Sequence, residues 1–173
     1  MKTLELKYIC GYLPYGLNYL RPDGSTILQA HGTLGTLFQS QENGQITYSS
    51  LSGCRPILRP MSDLTKEITR RGERFVPIVE LGRIIGPGGN WQVYRDGAGY
   101  LIEYGDDDVE CVAHLCYSSD CFRLSVGDDI ESISTSDTIA FFDRLNEWMF
   151  DYRNLISAGL AIDVNTLPEN PYE

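Results

Sequence analysis

The densest group of side chains that could bind a metal lies in the second half of the chain. Cys111, His114, Cys116 and Cys121 place three thiols and one imidazole within eleven positions, and these are the ligands that Zn²⁺ takes in tetrahedral sites. However, apolar residues alternate over 109–117, which predicts a β-strand whose neighbouring positions point to opposite faces. Cys111 would then face away from His114 and Cys116, so we expect no metal and no cofactor.

Carboxylates offer a second chemistry. Asp106 and Asp108 lie in a run of three aspartates, and Asp163 follows an apolar segment near the C terminus. Two carboxylates held at a fixed separation can hydrolyse a bond by acid and base catalysis. Consecutive aspartates point in different directions and are typical of solvated turns. A small carboxylate-dependent hydrolase therefore stays an alternative, and we assign no catalytic residue.

Other catalytic motifs are missing from the sequence. The two histidines, His31 and His114, lie outside any H-E-x-x-H frame. No G-x-S-x-G nucleophile turn is present. The glycine-rich run at 86–89 is not followed by the Lys-Ser/Thr pair of a phosphate-binding loop. The sequence therefore favours a protein that is not an enzyme.

Short strands joined by turn residues dominate the first third of the chain. Arg21-Pro22-Asp23-Gly24 is a strong turn, and Asn43-Gly44 is the dipeptide most typical of a two-residue β-hairpin. Pro56 is tolerated at a sheet edge. We predict strands over 17–20, 25–30, 33–40, 45–50 and 56–58, the last of them at an edge.

Helices and strands mix over the rest of the chain. Ser62 and Gly72 have the chemistry of a helix cap and a helix stop, and Ser136 begins an apolar stripe that continues to Gly159. We predict helices over 62–71, 78–84 and 136–158, and strands over 91–94, 100–104, 109–117, 121–126 and 162–164.

These elements predict an α+β fold, in which an antiparallel meander of hairpins is packed by a long C-terminal helix and by short helices. We expect a single domain over residues 1–167, with a subdivision near 86–90. Residues 168–173 have the composition of a flexible tail.

Charge is distributed unevenly along the chain. Residues 1–86 hold ten basic and seven acidic side chains, a net charge of +3, and residues 87–173 hold four basic and seventeen acidic ones, a net charge of −13. Opposed charges can orient a protein partner or a second copy, whereas the acidic half would repel nucleic acid. We therefore expect a protein partner or self-association. The alternative is an acidic inhibitor that mimics DNA through its −13 half.

Neither a membrane span nor a secretion signal is visible. No apolar run approaches the roughly 18 residues that a spanning helix needs, and charged residues interrupt the first seven positions. Five cysteines, an odd number, favour reduced thiols over a disulfide framework. We expect a cytoplasmic protein.

Several stretches carry a resemblance. They are 12–17 (YLPYGL), 57–68 (ILRPMSDLTKEI), 72–77 (GERFVP), 145–152 (LNEWMFDY), 155–156 (LI) and 159–167 (GLAIDVNTL). Together they resemble a family of small uncharacterised proteins encoded by phages and prophages of gut Bacteroides-type bacteria, over roughly a third of the chain. The resemblance implies a phage or mobile-element origin and a cytoplasmic setting. It implies no activity and no catalytic residue.

Four residues in these stretches exceed what packing demands. Asp63, Trp148, Asp151 and Asp163 combine charge or a large aromatic ring with positions beside apolar segments. We predict that they mark binding surfaces. The sequence as a whole predicts a phage-encoded accessory protein that acts by protein–protein interaction or self-association, and it leaves a small-molecule ligand unknown.

Overall fold

A computed structural model describes residues 3–24, 27–85, 90–96, 99–106, 109–118, 121–126, 129–131 and 133–173, and the side chains of 3–24, 27–85, 91, 93, 115–117, 122–125 and 133–173. The helices are α1 (Leu6–Ile9), α2 (Pro77–Ile85) and α3 (Thr135–Glu147). The strands are β1 (Asn18–Leu20), β2 (Ile27–Leu34), β3 (Leu37–Glu42), β4 (Gln45–Ser50), β5 (Arg55–Leu58), β6 (Ile68–Arg70), β7 (Glu73–Phe75), β8 (Asn90–Asp96), β9 (Gly99–Asp106), β10 (Val109–Ser118), β11 (Cys121–Val126), β12 (Asp129–Glu131) and β13 (Ile162–Asp163).

The elements form two compact units, and the predicted α+β class is confirmed. Unit 1 comprises Met1–Met61 and Leu145–Glu173, and unit 2 comprises Ser62–Arg144. A single domain over 1–167, with a subdivision near 86–90, stays a prediction, because residues 86–89 lie outside the described part of the chain.

Unit 1 is built on a six-stranded mixed sheet in the order β13-β5-β1-β2-β3-β4. Strands β1 to β5 pair antiparallel, and β13 runs parallel to β5. The β3–β4 hairpin turns at Asn43 and Gly44, with φ of 50° and 81°. This is the left-handed pair that a two-residue hairpin loop requires, so the sequence located this turn correctly.

The position of β5 corrects one prediction. Pro56 does not lie at the sheet edge, because β5 has β1 on one side and β13 on the other. Strand β13 pairs only with Ile57 and Leu58. Since the pairing begins one residue after Pro56, the missing N–H of the proline costs no bond to β13.

The inner side of this sheet is covered by one apolar core. Tyr12, Leu17, Tyr19, Phe38 and Ile57 are completely buried in it. The rings of Tyr19 and Phe38 stack with centroids 4.3 Å apart, and the Tyr12 hydroxyl donates to the Phe150 carbonyl at 2.7 Å. Burial raises the pKa of Tyr12 above its usual value, so this hydroxyl stays a donor at physiological pH.

Unit 2 carries a five-stranded antiparallel sheet in the order β12-β11-β10-β9-β8. Helix α2 packs against it at the smallest residue of the helix. A Cβ added to Gly82 would lie 2.7 Å from Cδ2 of Trp91, so only glycine permits this approach. In the same unit, the ring centroids of Phe122 and Phe141 lie 5.2 Å apart in an edge-to-face arrangement.

The predicted helix over 62–71 is wrong. A short 3₁₀ turn, Met61–Asp63, is followed by the antiparallel hairpin of β6 and β7. Arg71 and Gly72 form its two-residue loop, with φ of 53° and 82°. Gly72 supplies a hairpin turn rather than a helix stop.

The long C-terminal helix is shorter than predicted. Ser134, not Ser136, caps its start by accepting the Asp137 N–H at 3.1 Å. The helix ends at Glu147 because Met149 takes the left-handed conformation, with φ of 63°. The Phe150 N–H bonds to the Leu145 carbonyl and the Met149 N–H to the Asn146 carbonyl, which is the Schellman pattern of a helix C terminus.

The C-terminal residues also differ from the flexible tail that composition predicts. Tyr172 is 4% exposed. Its hydroxyl donates to the Ile57 carbonyl at 2.7 Å and accepts the Asn18 N–H at 3.1 Å. The segment is therefore tied to both β5 and the start of β1.

Candidate interaction surface

Strands β2, β3 and β4 form a sheet layer with one buried and one exposed side. Phe38, Ser40 and Ser49 point inward and are buried. Residues at the intervening positions of β3 and β4 point outward, as the two-residue period of a strand requires. We call the exposed side the neutral face; its members on β3, β4 and the end of β2 are Leu34, Leu37, Gln39, Gln41, Ile46, Tyr48 and Ser50.

The neutral face is apolar for an exposed surface. Leu34, Ile46 and Tyr48 are 61%, 60% and 49% exposed. Together with Ile27 they make up four of the seven large hydrophobic residues that are exposed among the described side chains. The register pairs Leu34 with Leu37 and Tyr48 with Gln39, so these side chains are neighbours on one surface.

This region carries almost no charge. Between residues 27 and 50 the one charged residue is Glu42, although charged residues make up 22% of the chain. The Glu42 carboxylate accepts from Nη1 of Arg21 at 3.2 Å. Its position in β3 shares the inward period of Phe38 and Ser40. The neutral face is therefore uncharged in a chain whose net charge is −10.

Strand β4 leaves one row of backbone groups without a strand partner. The Leu51 N–H donates to the Thr36 carbonyl at 2.9 Å, which fixes the alternation of the β3–β4 ladder. In that alternation Thr47 directs its backbone groups toward β3, whereas Ile46 and Tyr48 direct theirs away. Among the described residues no strand pairs with that side of β4. We call it the open edge.

A chain of hydroxyl groups connects the core to this edge strand. The Tyr19 and Ser40 hydroxyls lie 3.0 Å apart, and those of Ser40 and Thr47 lie 2.9 Å apart. Because Tyr19 is fully buried, these hydrogen-bonded hydroxyl groups fix Thr47 on the inner side of the sheet. Ile46 and Tyr48 are thereby held on the outer side. The open edge is preorganised for contact.

Three of the four residues predicted to mark binding surfaces are buried. Asp63, Trp148 and Asp151 are 2%, 6% and 4% exposed. In unit 2, Asp63 forms an ion pair with Lys66. In unit 1, Trp148 directly follows the last residue of α3. None of the three has the exposure that a surface contact requires, and Asp63 belongs to a different unit from the others.

Asp151 has a structural role. Its two carboxylate oxygens accept the N–H groups of Leu155 and Ile156 at 2.8 and 2.7 Å. Burial raises the pKa of Asp151, and the backbone hydrogen bonds oppose that rise. The carboxylate organises the turn after α3.

Asp163 also acts on its own backbone. One carboxylate oxygen accepts the Asn165 N–H at 2.9 Å, which caps the 3₁₀ turn Val164–Thr166. The other carboxylates of the hydrolase alternative, Asp106 and Asp108, have side chains outside the described residues. Catalysis by these groups stays a prediction.

The strand predicted to oppose zinc binding is present. Cys111, His114 and Cys116 lie in β10, and Cys121 begins β11. The side chains of Cys111, His114 and Cys121 are outside the described residues, so the zinc candidates stay untested. Among the side chains that are described, no three His, Cys, Asp or Glu residues come together as a metal site.

Two clefts open on unit 1, and neither assembles acid–base chemistry. One, of about 330 Å³, lies between Tyr8 and the turn that Arg153 and Leu160 border. The other, of about 450 Å³, lies between Leu4 and Thr36, and its one carboxylate is Glu5. Burial raises the pKa of the Cys54 thiol to about 11, which makes it a poor nucleophile at neutral pH.

The comparisons with known proteins add no relative. No protein-family model, no curated protein and no solved structure matches this chain. None of the helices among the described residues has the length and hydrophobicity that a membrane span needs. The neutral face and open edge therefore stand as the candidate site on their geometry alone.

Sequence reasoning missed this surface, although its signal is present. The Asn43-Gly44 turn predicts the hairpin, and one charged residue in positions 27–50 marks an uncharged hairpin in an acidic chain. The outer positions of β4, Ile46 and Tyr48, are favourable strand residues. What the sequence lacks is the sheet order that puts β4 at an edge.

Proposed function

We propose that the protein works by binding another protein through the neutral face and open edge of unit 1. The observation that carries this proposal is β4, a six-residue edge strand with no charge and no proline. Natural edge strands are usually protected by charge, proline, bulges or short length. A strand that lacks these protections is a template for adding a strand from a partner.

The exposed side chains support the same proposal. Ile46 and Tyr48 carry the backbone groups that point away from β3, and their side chains are about half exposed or more. Tyrosine and β-branched residues contribute strongly to cross-strand pairs and to interfaces. An added strand would gain backbone hydrogen bonds and apolar contacts together.

We also propose, from the resemblance to phage and prophage proteins, that the binding serves an accessory role in a phage or mobile element. Phage genes beside the coding gene would support this setting. Neighbouring genes of ordinary bacterial metabolism would contradict it.

The test uses two matched lysine variants. Ile46 on β4 and Ile139 on α3 are 60% and 59% exposed, so Ile46→Lys and Ile139→Lys add the same charge at equal exposure. We expect Ile46→Lys to weaken association, with a second copy or with any other protein the wild type retains, by at least about tenfold. We expect Ile139→Lys to retain it.

Amide hydrogen exchange of each complex identifies the surface. Protection that appears at Ile46 and Tyr48 on association supports the proposal. Complexes that survive Ile46→Lys and leave both amides unprotected would show that binding uses another surface.

A further inference from the structure

The open edge has a geometry that suits its own copy. We propose that two copies of this chain pair β4 against β4 in antiparallel orientation, about a two-fold axis at Thr47; the proposal rests on the proposed function, because it names the partner of the same edge. The result is a continuous sheet in which the six strands of one copy join those of the other.

Symmetry restricts the register of such a pair. A two-fold axis perpendicular to the sheet keeps outward residues opposite outward residues. With the axis at Thr47, Ile46 lies opposite Tyr48 of the second copy, and Tyr48 lies opposite its Ile46. These are the residues whose backbone groups point away from β3. Each such pair exchanges two hydrogen bonds, which gives four across the interface.

The side chains match in this register. Each Ile46 meets a tyrosine on the outer side, and aromatic with β-branched is a favourable cross-strand combination. On the inner side Thr47 meets Thr47, and Gln45 meets Ser49. No position of the strand places a charge against a charge.

If two copies associate, charge favours contact at this surface over the rest of the molecule. Two chains that each carry −10 repel one another. The repulsion is smallest where the contact is uncharged, and in the hairpin region 27–50 the one carboxylate, Glu42, is paired with Arg21. A foreign partner selected by charge would need a basic or acidic complement, which this strand does not offer.

Cysteine crosslinking tests the register. In a Cys10→Ser background, which removes an exposed native thiol, Thr47→Cys places two thiols at a non-hydrogen-bonded pair with Cα atoms about 4.5 Å apart. That separation is within the range of a disulfide. Ser49→Cys is the matched control on the same side of the strand, and its two copies lie about 14 Å apart. We expect a disulfide dimer from Thr47→Cys and none from Ser49→Cys.

Sedimentation equilibrium tests the open edge against an exposed position outside the proposed binding surface. Ile46→Pro removes an N–H that points away from β3 and leaves the β3–β4 ladder intact. Loss of this donor from both copies should raise the dimer dissociation constant about tenfold or more. Ile139→Lys adds a charge on α3, outside the neutral face and the open edge, and should change the dimer dissociation constant less than about threefold.

The outcomes separate this inference from the proposed function. A dimer weakened by Ile139→Lys but not by Ile46→Pro, or crosslinked equally through Ser49→Cys, overturns β4 pairing. If the protein is a monomer at all concentrations and Ile46→Lys abolishes its binding to a different protein, the inference is overturned and the proposed function stands. A monomer whose partners all survive Ile46→Lys overturns both.

Discussion

The two edges of the six-stranded sheet in unit 1 differ in how they are protected against the addition of another strand. We call the edge formed by β13, beside β5, the protected edge. Beyond β5, residues that follow α3 cover the sheet. The Arg59 carbonyl accepts the Asp151 N–H at 2.8 Å, and the Arg59 N–H donates to the Met149 carbonyl at 2.6 Å. Strand β13 pairs with β5 itself. At the other side, β4 ends the sheet with no covering strand among the described residues.

The protected edge uses several of the devices that prevent strand addition. Strand β13 has two residues, one of them the charged Asp163, and a 3₁₀ turn follows at once. Strand β4 has six residues and none of these devices. Because natural edge strands are usually protected, the contrast supports the proposal that the open edge binds a partner.

The largest effect should come from the protected edge. Asp151→Ala leaves the buried N–H of Leu155 and that of Ile156 without their acceptor. Two lost charge-assisted bonds should lower the free energy of unfolding by roughly 3 kcal/mol. Urea denaturation measures this loss.

The matched control is Asp163→Ala. This carboxylate accepts a single exposed N–H, so the loss should be about 1 kcal/mol. Equal losses in the two variants would show that Asp151 is not the main support of the turn after α3.

A smaller loss should follow from Tyr172→Phe. The substitution removes the hydroxyl that links Asn18 and Ile57, which should cost about 1–2 kcal/mol by urea denaturation. At the open edge, Tyr48→Phe removes an exposed hydroxyl and should change stability by less than about 0.5 kcal/mol. If Tyr172→Phe changed stability as little as Tyr48→Phe, residues 168–173 would behave as the loose tail that their composition predicts.

The sequence predicted the β3–β4 turn correctly because the signal of that turn is local. The strand predicted over 33–40 is wrong in part, because Gly35 and Thr36 form the turn between β2 and β3. Asn43 and Gly44 set the β3–β4 turn through their own backbone preferences. The alternation in β4 needs no distant residue to explain it. The predicted helix over 62–71 failed because its signals suit two structures. Ser62 and Gly72 are typical of a helix cap and a helix stop, but Arg71 and Gly72 form the loop of the β6–β7 hairpin.

The protected side depended on contacts that sequence does not display. Met149 ends α3 in a left-handed conformation without being glycine, because the following Phe150 is held beside Arg59 as a parallel bridge. The same distant packing buries Trp148 and Asp151, which charge and size had indicated as surface residues. Burial is a property of the whole fold, so residue type alone assigned them wrongly.

The pH dependence of stability should also separate the two edges. Burial raises the pKa of Asp151 in the folded protein. At pH values between the unfolded pKa of about 3.9 and this raised pKa, the folded protein binds a proton that the unfolded chain has lost. The contribution of Asp151 to stability is therefore greatest below the unfolded pKa, and it falls as pH rises through the raised folded-state value.

The measurement compares wild type with Asp151→Asn by urea denaturation between pH 4 and 7. The stability of wild type relative to the variant should decrease as pH rises, by less than the loss in Asp151→Ala, because the two backbone N–H groups offset part of the burial cost. An opposite slope would mean that hydrogen bonding outweighs burial. The same comparison with Tyr48→Phe should be flat, because the open edge holds no buried acid.

The smallest expected effect on folding is also the most informative about function. Ile46→Lys should change the free energy of unfolding by less than about 0.5 kcal/mol, since Ile46 is 60% exposed and its backbone groups point away from β3. Thermal and urea denaturation check this directly. If Ile46→Lys keeps the free energy of unfolding but loses association, Ile46 serves binding. If Ile46 served only folding, association would weaken only together with stability. If Ile46→Lys instead destabilised the monomer by several kcal/mol, the side chain would be part of the folded core and the open edge would lose its main anchor.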